Sequence, residues 1–168
     1  MNKKIILTLA SSLLIITGII AAYLLTNMTN PGTTVYVTPD KVVRSIDGDF
    51  SVNISISNVA NLYAWECKLG WNASVMDLVN VTEGSFLEKA GATFFDYRLN
   101  ETFSHVVIDC TLLGNLAGVD GNGVLASIQL HVKNEGTCDL VLYDTKLVDA
   151  SERMIAHAVN GGHFSASS

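Results

Sequence analysis

The sequence predicts an all-β domain, an antiparallel β-sandwich, preceded by an N-terminal hydrophobic helix. Two observations predict the sandwich. Apolar residues recur at every second position over four stretches, and turn-forming residues punctuate the chain at near-regular spacing. A third excludes the main competitor: the stretches alternate, whereas the buried parallel strands of a doubly wound α/β fold would be apolar throughout.

The elements follow in order along the 168 residues. Residues 1–4 form a basic start carrying Lys3 and Lys4, and residues 5–25 hold no charge. At about 1.5 Å per residue such a run reaches roughly 30 Å as a helix, enough to cross a bilayer core. It reads as a retained transmembrane anchor or as a signal peptide cut near Ala21-Ala22, with Lys3 and Lys4 on the cytoplasmic side. The expected location is therefore the cell membrane, single-pass with the domain outside, or the secreted fraction. Residues 26–33 are a polar linker ending in Pro31-Gly32, and residues 34–168 form the domain.

Four runs carry the period of two. Val52, Ile54 and Ile56 alternate with Ser51, Asn53 and Ser55, and Tyr63, Trp65, Cys67, Leu69 and Trp71 with Ala64, Glu66, Lys68 and Gly70. Val106, Ile108, Cys110 and Leu112 form the third run, and Val124 through Val132 the fourth. Successive strand side chains point to opposite faces, so each run has one face in a core. Asp47-Gly48, Asn72-Ala73, Asp120-Gly121-Asn122-Gly123, Asn134-Glu135-Gly136 and Asn160-Gly161-Gly162 read as turns. One short helix is expected from Ser85 to Glu88, which have capping-box spacing, with Gly91 as its end. Eight or nine strands remain.

Composition narrows the function. The net charge is −6, and the exported part is more acidic still because Lys3 and Lys4 lie before it. That balance repels nucleic acid and anionic lipid. No Gly-x-Ser-x-Gly occurs, and His105, His131, His157 and His163 are scattered. No Cys-x-x-Cys or His-x-His suggests zinc. Asp120-Gly-Asn122-Gly resembles part of a calcium loop but lacks the downstream acid, so no metal or cofactor is expected. Cys67 and Cys110 share the apolar phase of their strands, which suits either buried free thiols or a Cys67–Cys110 disulfide; with Cys138 the count is odd. Sequons at Asn27, Asn53, Asn72, Asn80 and Asn100 agree with export, and glycosylation is considered at the last four. Glu66 and Asp109 share a polar face, but a catalytic carboxylate pair needs a desolvating cleft. The exterior of a sheet is expected to be flat, so the chain is not expected to be an enzyme. What remains is a mixed face of Ala64, Glu66, Lys68, Val107, Asp109 and Thr111.

Asn58-Val-Ala-Asn-Leu-Tyr-Ala-Trp-Glu-Cys-Lys-Leu-Gly-Trp71 and Val79-Asn-Val-Thr-Glu-Gly-Ser-Phe-Leu87 resemble the second to fourth strands of cohesin domains, most closely archaeal cohesin-like ones. Gly118-Val-Asp-Gly-Asn-Gly-Val-Leu-Ala-Ser-Ile128, Asp144-Thr-Lys-Leu-Val-Asp149 and Asn160-Gly-Gly-His-Phe164 extend the resemblance from about Thr34 to Phe164. It implies a nine-stranded jelly roll with sheets ordered 8-3-6-5 and 9-1-2-7-4. It also implies a non-catalytic receptor for dockerins, small modules that carry their own calcium. The partner-binding residues would then be Ala64, Glu66 and Lys68 on the third strand and Val107, Asp109 and Thr111 on the sixth. Ala64 departs from the Asn that other cohesins often carry there. Carbohydrate-binding modules share the fold. A polysaccharide-binding role, with Phe94, Phe95 and Tyr97 as the exposed aromatics, and a purely structural envelope role are the alternatives.

Overall fold

A computed structural model describes residues 32–100 and 104–166. The apolar run 5–25, most of the linker and the Asn27 sequon lie outside the described residues. Ten strands follow in order: β1 (Thr34–Thr38), β2 (Lys41–Arg44), β3 (Asp49–Gly70), β4 (Met76–Glu83), β5 (Thr93–Asn100), β6 (His105–Leu112), β7 (Val119–Val132), β8 (Gly136–Asp149), β9 (Ala158–Asn160) and β10 (Gly162–Ala166). One layer is β9–β1–β3–β7–β4 and the other β8–β3–β6–β5, with β10 pairing β8 and β2. These are the two expected sheet orders of a jelly roll. The count is ten rather than nine for local reasons. The second and third strands that the resemblance implies run as one continuous β3. The first strand is interrupted around Pro39, which has no N–H for a ladder, and the last around Gly161.

Alternation builds the core from both layers. Val52, Ile54 and Ile56 in the first half of β3 and Trp65, Cys67 and Leu69 in the second are all buried in one cluster. The rings of Phe50 and Phe164 stack at 4.8 Å, and Trp65 meets Phe95 at 6.4 Å. Tyr63 and Trp71, at the ends of that second run, are half-buried.

β3 changes layer over Asn58–Asn61. Both asparagines adopt left-handed backbone (φ 54° and 59°), a conformation that Asn tolerates better than most residues. The register with β7 shifts on either side of Val59. The corner's amides are satisfied by β7: Asn58 N–H donates to Asn122 Oδ1 at 2.7 Å and Asn61 N–H to Asp120 Oδ1 at 2.6 Å. In return, Gly118 N–H donates to Asn61 Oδ1 at 2.9 Å. Asp120–Gly123 is therefore not a turn but the start of β7, and its polar side chains are spent on the corner.

Two further expectations change. The Ser85–Glu88 helix is reduced to a single 3-10 turn, Leu87–Lys89, with no side-chain cap. Gly84 and Phe86 N–H groups donate to Leu125 and Val124 carbonyls, and Leu113 N–H donates to Ala92, so the segment is pinned at both ends. The Cys67–Cys110 disulfide is absent: Cys67, Cys110 and Cys138 are all free and buried. Cys67 pairs with Ile108 and Cys110 with Trp65. The two thiols are thus diagonal neighbours, with Cα atoms about 7–8 Å apart, beyond disulfide reach. Burial pushes all three thiols above the usual range.

Two outcomes are expected. Alkylation of the native chain should be negligible, whereas alkylation after unfolding without reductant should add three groups; a single adduct would mean that a bridge exists. A Cβ at Gly118 would collide with the Asn61 carbonyl, so Gly118→Ala should cost about 1–3 kcal/mol in urea unfolding. Gly32→Ala, in open space, should be neutral.

Candidate functional site

The outer face of β8–β3–β6–β5 is a grid, because strict registers place outward residues on shared rungs. The first rung reads Phe94, Thr111, Ala64, Val148 from β5 to β8. The second reads Asp96, Asp109, Glu66, Lys146, and the third Arg98, Val107, Lys68, Tyr143. Asn100, His105, Gly70 and Val141 form the fourth. All six residues singled out from the sequence occupy three consecutive rungs of the two central strands, and all are half-buried.

The middle of the face is charged and internally paired. Lys146 Nζ donates to Glu66 Oε1 at 2.6 Å, and Arg98 Nη2 to Asp109 Oδ2 at 2.8 Å. Arg98 Nη1 also reaches Asp96 at 3.3 Å. Lys68 Nζ donates to Asp144 Oδ2 at 2.8 Å and sits 5.8 Å from the Tyr143 ring centre. That hydrogen bond raises the Lys68 ammonium above its ordinary value and holds the Asp144 carboxyl below its own.

The first rung is apolar and concave. Ala64 and Thr111 are small, so a hollow of about 200 Å³ opens over them beside Val148, lined also by Glu66, Asp109 and Lys146. This corrects the expectation of a flat exterior. The hollow is nonetheless open and shallow: Glu66 and Asp109 keep 32% and 27% of their side-chain surface. A second hollow of about 460 Å³, lined by Tyr63, Leu116, Val148 and Asp149, continues past the same rung. Phe94 on the first rung, Leu113 just after β6 and Met154, which bridges to Val148, are exposed at 56%, 49% and 64%.

Several face residues escaped the sequence reading. Arg98 and Asp96 lie on β5, whose mixed pattern hides its phase. Lys146 and Val148 were hidden by a bulge. Between Tyr143 and Lys146, β8 carries one residue more than β3 opposite it, and Asp144 there has φ 48°. Outward residues switch from odd to even numbers across it. The five-residue gap between buried Leu142 and Leu147 is the signal that marks the switch.

The aromatic trio divides. Phe94 pairs with outward Thr111, whereas Phe95 and Tyr97 pair with Cys110 and Ile108 on the inner side. The three rings therefore do not share one plane on which a sugar could stack. The sequons divide too. Asn53 and Asn80 lie on the outer side of the opposite layer, alongside Ser127 and Gln129, Asn72 is in an exposed turn, and Asn100 is on the fourth rung. Among the described residues no group of three His, Cys, Asp or Glu side chains gathers to hold a metal ion. His131 lies at the surface, bonded to Asp49 at 2.7 Å.

Comparison with known proteins agrees with the geometry. No curated protein matches the chain. Among solved structures, a non-cellulosomal cohesin from the archaeon Archaeoglobus fulgidus superposes with TM-score 0.67 at 19% identity, over 82% of this chain and 93% of that one. A type I cohesin–dockerin complex from Clostridium thermocellum superposes with TM-score 0.69 at 12% identity, over 82% of this chain and all of its counterpart. A type I cohesin from Pseudobacteroides cellulosolvens gives 0.63 at 18%, over 82% and 93%. The cohesin domain family profile matches residues 31–162, and with strand orders and chain length in accord the chain belongs to the cohesin domain family.

Proposed function

We propose that this chain is a non-catalytic cohesin module, exported and either anchored by residues 5–25 or released, which docks a dockerin-type partner on its β8–β3–β6–β5 face. The observation that carries the reading is the juxtaposition on that face of an apolar hollow with a row of exchangeable ion pairs. The similar Clostridium thermocellum structure is itself a cohesin–dockerin complex. Calcium belongs to the partner in this reading, and no cofactor is needed here.

The physical division of labour is clear. Exposed ion pairs contribute little to folding because water screens them. Lys146–Glu66 and Arg98–Asp109 can therefore exchange internal partners for a ligand's charges at small expense, giving orientation and selectivity. Affinity comes from desolvating an apolar anchor in the Ala64–Thr111 hollow, beside the exposed Phe94 of the same rung. Glycans on Asn53 or Asn80 would project from the opposite layer and leave the docking face clear. One on Asn100 would border it.

The test is affinity capture from host envelope extract on the full-length chain in detergent. A dockerin module should be retained in calcium and released by chelation. Glu66→Arg should weaken capture by about tenfold or more, since like-charge contacts oppose binding. Ala64→Trp, which fills the hollow, should do the same, and both variants should keep the wild-type melting temperature within a few degrees. Equal capture by both variants would remove the face as the docking site.

A further inference from the structure

Four strands among the described residues have a single partner: β2, β4, β5 and β9. A free sheet edge invites another strand, and folded proteins obstruct such edges with shortness, lysines, prolines or bulges. Three of the four are obstructed. β9 has three residues, β2 has four and begins with Lys41, and β4 is bulged between Leu78 and Asn80. β5 is not. Its eight residues, Thr-Phe-Phe-Asp-Tyr-Arg-Leu-Asn, pair with β6 from Thr93 to Asn100 without a register break and contain no proline or lysine. Phe94, Tyr97 and Leu99 on it are exposed at 56%, 39% and 43%.

We infer that β5 is a homodimer edge, pairing antiparallel with β5 of a second copy about a two-fold axis through Tyr97. The sequence of the strand is self-complementary in this register alone among its neighbours. Centring on Tyr97 places Asp96 opposite the second copy's Arg98, and Arg98 opposite the second copy's Asp96, both on the outer face. On the inner side Tyr97 meets its own symmetry mate and Phe95 meets the second copy's Leu99. Such charged and aromatic–aliphatic cross-strand pairs are the favourable ones. Moving the centre to Asp96 or Arg98 sets like charges opposite one another. Centring between residues would oppose outward to inward side chains, which the pleat forbids. Asp96 and Arg98 keep 44% and 62% of their side-chain surface, so both are available to a second strand. The axis stands perpendicular to the sheet, so the two docking faces look the same way, side by side.

The register is testable by cross-linking in the full-length chain in detergent. Opposed residues in an antiparallel pair have Cα atoms about 4.5–5.5 Å apart, within disulfide reach, and the native thiols are buried. Tyr97→Cys should therefore give a disulfide-linked dimer under mild oxidation, whereas Val79→Cys on the bulged β4 edge should not. Adding Asp96→Arg to Tyr97→Cys should reduce the cross-link by about tenfold or more. Adding Arg98→Asp as well should restore it, because the pairs re-form with reversed sign. No cross-link, a cross-link indifferent to Asp96→Arg, or a bond to a different polypeptide would each overturn the inference. Sedimentation of the unsubstituted chain tests the same edge independently. A mass that falls from dimer to monomer with Asp96→Arg supports the edge, and a monomer at every concentration overturns it.

Discussion

The architecture depends on one strand serving two layers. β3 supplies Phe50, Val52, Ile54 and Ile56 to the core from one sheet and Trp65, Cys67 and Leu69 from the other. The crossing at Asn58–Asn61 interrupts regular pairing, and unpaired backbone amides near a core are expensive. The fold answers with side chains from β7, Asp120 and Asn122, that accept those amides. Gly118 lets the backbones approach closely enough to do so. Everything downstream inherits its position from that corner, since the β8–β3–β6–β5 face is the second half of β3 with its neighbours on either side.

Given that frame, the face is free to be chemical. Its inward residues, Trp65, Cys67, Leu69, Ile108, Cys110 and Leu147 among them, make the core, so its outward residues carry almost no structural duty. The ion pairs on the second and third rungs lie in solvent, and the hollow on the first exists because Ala64 and Thr111 are small. Core packing and surface chemistry are thereby written on alternate residues of the same strands. A change such as Glu66→Arg acts on the second without touching the first.

Much of this was legible in the amino-acid order. The phases of β3, β6 and the later part of β7 were readable because one side is apolar and the other polar, and the six central face residues follow from that phase. Besides the phase of β5 and the bulge of β8, three things were not readable. Asp120-Gly-Asn-Gly carries turn residues, yet long-range bonds to Asn58 and Asn61 override the local preference. The Ser85–Glu88 spacing suggests a capped helix, but the anchoring of Phe86 beneath Gly123, where a Cβ would strike the ring, leaves room for one turn. The Cys67–Cys110 pair shares a face without sharing a rung, a difference of register that no single strand reveals.

The bulge at Asp144 has a consequence for how this domain can vary. The extra residue there turns Lys146 and Val148 outward and Leu147 inward, and shifting a strand by one residue would reverse all of them. Lys146 would then enter hydrocarbon and Leu147 would meet water. An insertion or deletion in the neighbouring stretch of β8 would therefore keep Lys146, Leu147 and Val148 on their present sides in even steps alone.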